Sequence, residues 1–163
     1  MLDERVRAVL ARLEEQDAKE QDEQRPVAER SLAIAPTSGA LLFALCAGRP
    51  GCRVLEIGGS RGYSTIWLGA AARLQSGRVT SLEADPVKLA LSARNIAAAG
   101  LDEWVAVVPG DAFATIAGLA GPFDLVVLDA WKDDYEALFA AARARLVPGG
   151  VLVADNVISH RQA

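Results

Sequence analysis

The stretch Val54-Leu55-Glu56-Ile57-Gly58-Gly59-Ser60-Arg61-Gly62-Tyr63-Ser64 decides how this chain reads. A short β-rich run ends in a glycine-rich turn, and a helical pattern begins directly after it. Glycines at such a junction let the backbone turn sharply and let a ligand approach the main chain closely. A dinucleotide-binding fingerprint needs glycine at i, i+2 and i+5, but those positions hold Gly58, Ser60 and Tyr63, so it is not met. The spacing present is Glu56-x-Gly58-x-x-x-Gly62, with an acid two residues before the first glycine. A purely structural turn fits the same letters, so the flanking sequence has to decide.

Working outward, β-rich runs at 53–57, 79–82, 105–108, 123–128 and 151–154 alternate with helical stretches at about 64–74, 86–99, 112–119 and 133–146. The second helix is well punctuated: Asp85 suits its cap, Pro86 its first turn and Gly100 its stop. Leu125-Val126-Val127-Leu128 shows no polar alternation, which predicts a strand buried on both faces. The pattern predicts an α/β fold: a Rossmann-like, doubly wound, mostly parallel sheet with helices on both faces and right-handed crossovers. Ligands of such sheets bind beyond the carboxyl ends of the strands, where the strand order reverses.

Toward the N-terminus the charge density rises: residues 1–30 hold 15 of the 38 charged side chains. Leu2, Val6, Val9, Leu10 and Leu13 recur at helical spacing, and the pattern then turns wholly polar through Gln24. The expectation is a charged amphipathic arm over 1–25, packed by one end and solvated at the other, followed by a ligand-binding domain over 26–163. A docking or dimer-forming arm is the alternative. Pro26 marks the break.

The 163 residues suit one compact domain, and 31 of the apolar residues are Ala, so Leu, Val and Ile must build the core. A net charge of −4 argues against a nucleic-acid partner, which would need clustered positive charge. No apolar run approaches the roughly 20 residues of a membrane span. Met1-Leu2-Asp3-Glu4-Arg5 lacks the layout of an export signal. Cys46 and Cys52 match neither a disulfide framework nor a zinc cluster. A soluble cytoplasmic protein without membrane or nucleic-acid partners is expected.

The strand ends carry the chemistry. Glu83 closes the second strand, 21 residues past Gly62, where a carboxylate can accept two hydrogen bonds from a ribose diol. An exposed strand-end acid is the other reading. Asp129 closes the fourth strand, and Asp155-Asn156 the fifth. If those strands are neighbours, their ends lie about 5 Å apart. An all-oxygen trio of that kind suits a hard cation such as Mg²⁺; helix-capping acids are the alternative. Lys132 follows within the same loop. Near a cation and partly desolvated, its ammonium form is disfavoured and it could accept a proton, although a solvated loop lysine reads identically. Trp131 could wall an adenine or pack in the core. His160 reads as an ordinary surface residue.

Residues 54–64, Glu83 with Asp85-Pro86, Gly110-Asp111-Ala112, 129–135 and Asp155-Asn156-Val157 together resemble the cation-dependent O-methyltransferases, among them catechol and caffeoyl-CoA O-methyltransferases. The Asp-x-Trp-Lys-Asp-x-Tyr run is closer to the catechol enzyme. The resemblance covers about 34–158. It implies the class I methyltransferase fold and S-adenosylmethionine in the crevice, bordered by Glu56, Gly58, Gly59, Gly62, Ser64, Glu83, Ala84, Gly110, Asp111, Ala112, Asp129 and Trp131. Phe113 would border the adenine with Ala112 and Trp131. Asp129, Asp155 and Asn156 would hold Mg²⁺ or another hard divalent cation. Lys132 would match the family's general base, with Asp129 beside it in catalysis. The implied partner is a small catechol-like or hydroxylated aromatic acceptor, and the implied assembly a homodimer.

The sequence departs from that family in three ways. Two further strands of the family are missing after the Asp-Asn pair, which would leave 151–154 an apolar edge strand. Ser60 replaces a middle glycine. Arg61 stands where relatives carry a small residue, and its guanidinium could grip the cofactor's carboxylate or crowd and repel its sulfonium. The leading expectation is a metal-dependent O-methyltransferase. A cofactor-binding module without turnover is the alternative, and the failed fingerprint disfavours a nicotinamide-dependent dehydrogenase.

Overall fold

The structure, a computed structural model, describes residues 2–129 and 135–155. Helix α1 (Glu4–Asp22) starts at Asp3, whose carboxylate accepts the Val6 N–H at 2.8 Å and so satisfies one of the helix's free amides. A short 3-10 turn (Val27–Glu29) leads to α2 (Pro36–Ala47). The alternation expected from the sequence follows: β1 (Arg53–Ile57), α3 (Tyr63–Leu74), β2 (Arg78–Glu83), α4 (Pro86–Ala98), β3 (Val105–Pro109), α5 (Ala112–Ile116), β4 (Phe123–Leu128), α6 (Tyr135–Arg143) and β5 (Leu146–Ala154). The strands form one sheet in the order β3-β2-β1-β4-β5, with every pairing parallel. The order reverses between β1 and β4, which places the ligand crevice beyond their carboxyl ends.

Side chains alternate across the sheet and build a core on each face. Val54, Val79, Leu125 and Val127 pack with the helices α1 to α4. Leu55, Ile57, Leu82, Val126 and Leu128 pack with Ile116 of α5 and Leu138 and Ala142 of α6. The central strands are thus buried on both sides, as the unbroken run 125–128 predicts. Asp85 caps α4 by accepting the Val87 and Lys88 N–H groups, and Gly100 takes φ +68° just past the helix end.

Four sequence expectations change. The polar half of α1 is not solvated along its length: Asp17 is 9% exposed and Glu20 only 2%. Both continue the stripe of Val6, Val9, Leu10 and Leu13, so burial follows the helical period rather than polarity. Helix α2 went unforeseen because its residues are apolar nearly all round and give no period to read. It packs on α3 through Gly39, where an added Cβ would lie 2.4 Å from Trp67 Nε1. Helix α5 stops at Ile116, short of 119. Helix α6 ends at Arg143 and β5 begins at Leu146, five residues before the expected 151. Phe123 pairs with Leu146 and Leu125 with Val151, so Val147-Pro148-Gly149-Gly150 is absorbed as an irregularity in the strand. No helix among the described residues is long and apolar enough to cross a membrane.

Candidate functional site

Register decides which residues meet. Ile57 pairs with Leu82 on one side and Leu128 on the other, and Leu128 pairs with Ala154. The next residue of each strand is therefore Gly58, Glu83, Asp129 and Asp155, side by side along one edge of the sheet. The ladder carries through them: Gly58 N–H donates to Leu82 O at 3.0 Å, Asp129 N–H to Ile57 O at 2.9 Å and Asp155 N–H to Leu128 O at 3.1 Å.

The turn after β1 needs its glycines for two different reasons. Gly62 sits at φ +90°, in the left-handed region that side chains avoid. Gly59 is required by proximity, since a Cβ there would lie 2.1 Å from Ser81 Oγ and 3.2 Å from Glu56 Oε2. Beneath the turn, Glu56 is 1% exposed. Its Oε2 accepts hydroxyls from Thr65 at 2.5 Å and Ser81 at 2.6 Å, whereas Oε1 has no hydrogen-bond partner among the described residues. Burial pushes its carboxyl above the usual carboxylate range, against the opposing pull of the Ser64, Ser81 and Thr65 hydroxyls.

Glu83 is fixed by the backbone around it. Ser60 N–H donates to Oε2 at 2.7 Å and Asp85 N–H to Oε1 at 2.8 Å. A carboxylate offers about four lone-pair sites, so each oxygen keeps room for one more donor. Ser60 also donates its hydroxyl to Ser31 O at 2.8 Å, which brings 31–34 against the glycine turn. A narrow cleft results, lined by Ser31, Ala33, Gly58, Ser60, Ser64 and Asp129 among others.

Arg61 neither reaches for a ligand carboxylate nor intrudes as a free charge. Its guanidinium turns toward α1, bonding Glu20 Oε1 and the Glu29 carbonyl. Although burial raises the Glu20 carboxyl, hydrogen bonds from Arg61, Ser31 and Gln16 pull it further the other way, down to about 2.

At the fourth and fifth strand ends, the Tyr135 hydroxyl lies 2.7 Å from Leu128 O and 2.6 Å from Asp155 O. Burial, then the charges of Asp129 and Asp155, push this phenol up to about 12. The one hydroxyl therefore reaches backbone carbonyls at the ends of both β4 and β5, so the two strand ends share a corner. Among the described residues no group of three or more His, Cys, Asp and Glu is arranged to hold a metal. Asn156, Trp131, Lys132 and His160 lie outside the described residues.

Of the remaining expected residues, Ala84 is exposed beside Glu83. Gly110 N–H donates to Glu83 O at 3.2 Å, and Asp111 caps α5 by accepting the Ala114 N–H at 3.1 Å. Ala112 opens α5, with Phe113 next to it 40% exposed. The sequence reading missed Asp17, Glu20, Ser31, Thr65 and Ser81. The signal for the first two was present, because they continue an apolar helical stripe three and four residues apart.

The methyltransferase-domain family profile matches residues 55–157. A catechol O-methyltransferase of Mycobacterium tuberculosis is 41% identical over 128 residues, covering 78% of this chain and 58% of that protein. One of Niastella koreensis is 38% identical over 135 residues, covering 78% of this chain and 59% of that protein. The chain thus spans about three fifths of the length of these relatives. In structure, it is similar to an O-methyltransferase from Bacillus cereus in complex with SAH: TM-score 0.79 and 31% identity, covering 93% of this chain and 67% of the other.

Proposed function

Because the chain belongs to the methyltransferase-domain family that includes the catechol O-methyltransferases, we propose that it moves a methyl group from S-adenosylmethionine to a hydroxyl of a small catechol-like or hydroxylated aromatic acceptor, with a hard divalent cation such as Mg²⁺. One observation carries the reading: Glu83, with an acceptor site left on each oxygen, shares a sheet edge with the glycine turn and with Asp129 and Asp155.

The residues present fit such a cofactor. The buried Glu56 Oε1 lacks a donor that a ligand ammonium could supply, directly or through water. Glu83 would accept the ribose diol. The first turn of α3, with Ser64, would face the methionine carboxylate through its free amides. The donor set also fits the cation, since Asp129 and Asp155 supply hard oxygens and Asn156 would add a third. A cation there would lower the pKa of a chelated hydroxyl and fix its direction. Lys132 would take the proton from that hydroxyl. No activation of the sulfonium is needed, so holding the acceptor oxygen in line, in a water-poor cleft, supplies most of the rate. The family resemblance also supports a homodimer, which sedimentation of the purified chain tests.

The test is a calorimetric titration with S-adenosylhomocysteine, followed by a catechol methylation assay with and without chelator. Asp155→Ala, at a residue assigned to the metal alone, is expected to lose chelator-sensitive turnover, by a hundredfold or more on the scale of ~3 kcal/mol, and to keep cofactor affinity. Undiminished turnover in that variant removes the metal assignment, and absence of cofactor binding removes the whole reading. The opposite outcome of the same test would be a cofactor-binding module without turnover. It would bind S-adenosylhomocysteine and methylate no diol with any metal.

A further inference from the structure

A continuous path of hydrogen bonds joins the polar end of α1 to the acid assigned to the ribose. Asp17 and Glu20 lie one helical turn apart, and both grip Ser31. The Ser31 N–H donates to Glu20 Oε2 at 2.8 Å, and the Ser31 hydroxyl lies 2.6 Å from Asp17 Oδ1 and 3.0 Å from Glu20 Oε2. Asp17 Oδ1 also accepts the Ala33 N–H at 3.2 Å. The Ser31 carbonyl accepts the Ser60 hydroxyl, and the Ser60 N–H donates to Glu83 Oε2.

Arg61 adds a second link. Its guanidinium ties Glu20 to the Glu29 carbonyl, and its own carbonyl accepts Asn95 Nδ2 at 2.8 Å. The turn therefore hangs from α1 at one end and from α4 at the other. Ser60 sits between these anchors at φ +45°, a conformation that a non-glycine residue keeps only where its surroundings impose it.

We propose that Asp17 and Glu20 are positioning residues of the cofactor cleft: acting through Ser31 and Arg61 they fix Ser60, and through the Ser60 amide they hold the Glu83 carboxylate in the orientation a ribose diol requires. A buried ion pair is often no more stabilising than a well-packed apolar pair in its place, and its best-attested use is to specify one arrangement over others. Here the pair specifies where the 29–33 segment sits. With Glu20 neutralised, Arg61 becomes a nearly buried cation lacking its counter-charge. The segment then loses its anchor, and Ser60 is released from Glu83.

This role rests on the assignment of the cleft to S-adenosylmethionine, so its test has one arm that needs no ligand. In the folded chain, amide exchange of Ser60 is expected to quicken about tenfold or more in Glu20→Gln, while the Leu55 and Ile57 amides of β1 stay within twofold. The affinity for S-adenosylhomocysteine is expected to fall about tenfold. The double variant Glu20→Gln/Glu83→Gln should bind no more weakly than Glu83→Gln alone, because both changes act through one carboxylate. Should Glu20→Gln prove too unstable to study, Ser31→Ala removes only a hydroxyl and is read in the same way. Uniform quickening across β1, an unchanged Ser60 amide, or additive losses of affinity each overturn the positioning role and leave the cleft assignment standing. A parent chain that binds no S-adenosylhomocysteine overturns the cleft assignment, and this role with it.

Discussion

Replacing Glu20 by glutamine should take an acid-sensitive component out of the stability of this fold. The Glu20 side chain is 2% exposed, and its carboxyl is held down to about 2 against an ordinary 4.5. Burial works against ionisation; the Arg61 guanidinium, the Ser31 N–H, Gln16 and the Ser31 hydroxyl together overcome it. A carboxyl depressed in the folded state stabilises the fold above its unfolded value and loses that contribution as pH falls toward the folded one. The distance between the two values corresponds to about 3 kcal/mol at neutral pH, of which about 2 kcal/mol is gone by pH 3. Urea unfolding followed by circular dichroism at pH 7, 5, 4 and 3 measures it, on the parent and on Glu20→Gln. Other carboxylates move both proteins alike, so the difference between the curves isolates Glu20. It should be largest at pH 7 and shrink steadily below pH 4.5. A difference that is constant across the series would refute the buried, ionised pair.

Gly59→Ala forces a methyl group against Ser81 Oγ and Glu56 Oε2, so it should destabilise the chain by about 1–3 kcal/mol and weaken S-adenosylhomocysteine binding; parental values in thermal denaturation and calorimetry would refute the close approach. Leu10→Ala should cost about 2–5 kcal/mol in urea unfolding, because Leu10 is 4% exposed in the core shared with β1 and α3. A loss below about 1 kcal/mol would separate α1 from the cooperative unit. The chain's two tyrosines, Tyr63 and Tyr135, are both pushed up to about 12 with burial the leading cause, so ultraviolet titration of the folded chain should show little phenolate at pH 10. Half-ionisation at pH 10, the ordinary value, would contradict both environments.

The sheet was legible because most of its strands announce themselves twice, once as short β-rich runs and once by the acid or glycine that follows or closes them. Ile57-Gly58, Leu82-Glu83, Leu128-Asp129 and Ala154-Asp155 are four such transitions, and register sets all four side by side. Asp85, Pro86 and Gly100 were legible for a local reason, since capping and left-handed stops depend on neighbours in sequence. Helix α2 was not, because a segment that is apolar nearly all round has no period to read. The start of β5 was missed at Pro148-Gly149-Gly150, which read as a loop and instead sits inside the strand as an irregularity. The interior of the site was hidden by distance. Thr65 and Ser81 meet on Glu56 from separate elements, and Ser31 reaches Ser60 across 29 residues of chain. No local pattern marks such pairs.

Asp17 and Glu20 expose a more specific limit of sequence reading. A run of charge at the end of an amphipathic helix is usually a solvated face, and by composition nothing distinguishes this one. Phase distinguishes it. Val6, Val9, Leu10, Leu13, Asp17 and Glu20 lie on one stripe, while Glu15, Lys19 and Asp22 lie off it and are exposed. A carboxylate in phase with a core stripe must find a cation or several donors, or give up its charge. The chain contains such a cation at an unusual place, Arg61 within the glycine turn. The two departures, acids in the stripe and an arginine in the turn, are therefore one feature seen from its two ends. The strand-end acids follow from the topology of the sheet, but this pair does not. It is the element by which this sequence fastens its N-terminal helix to the cleft that its sheet creates.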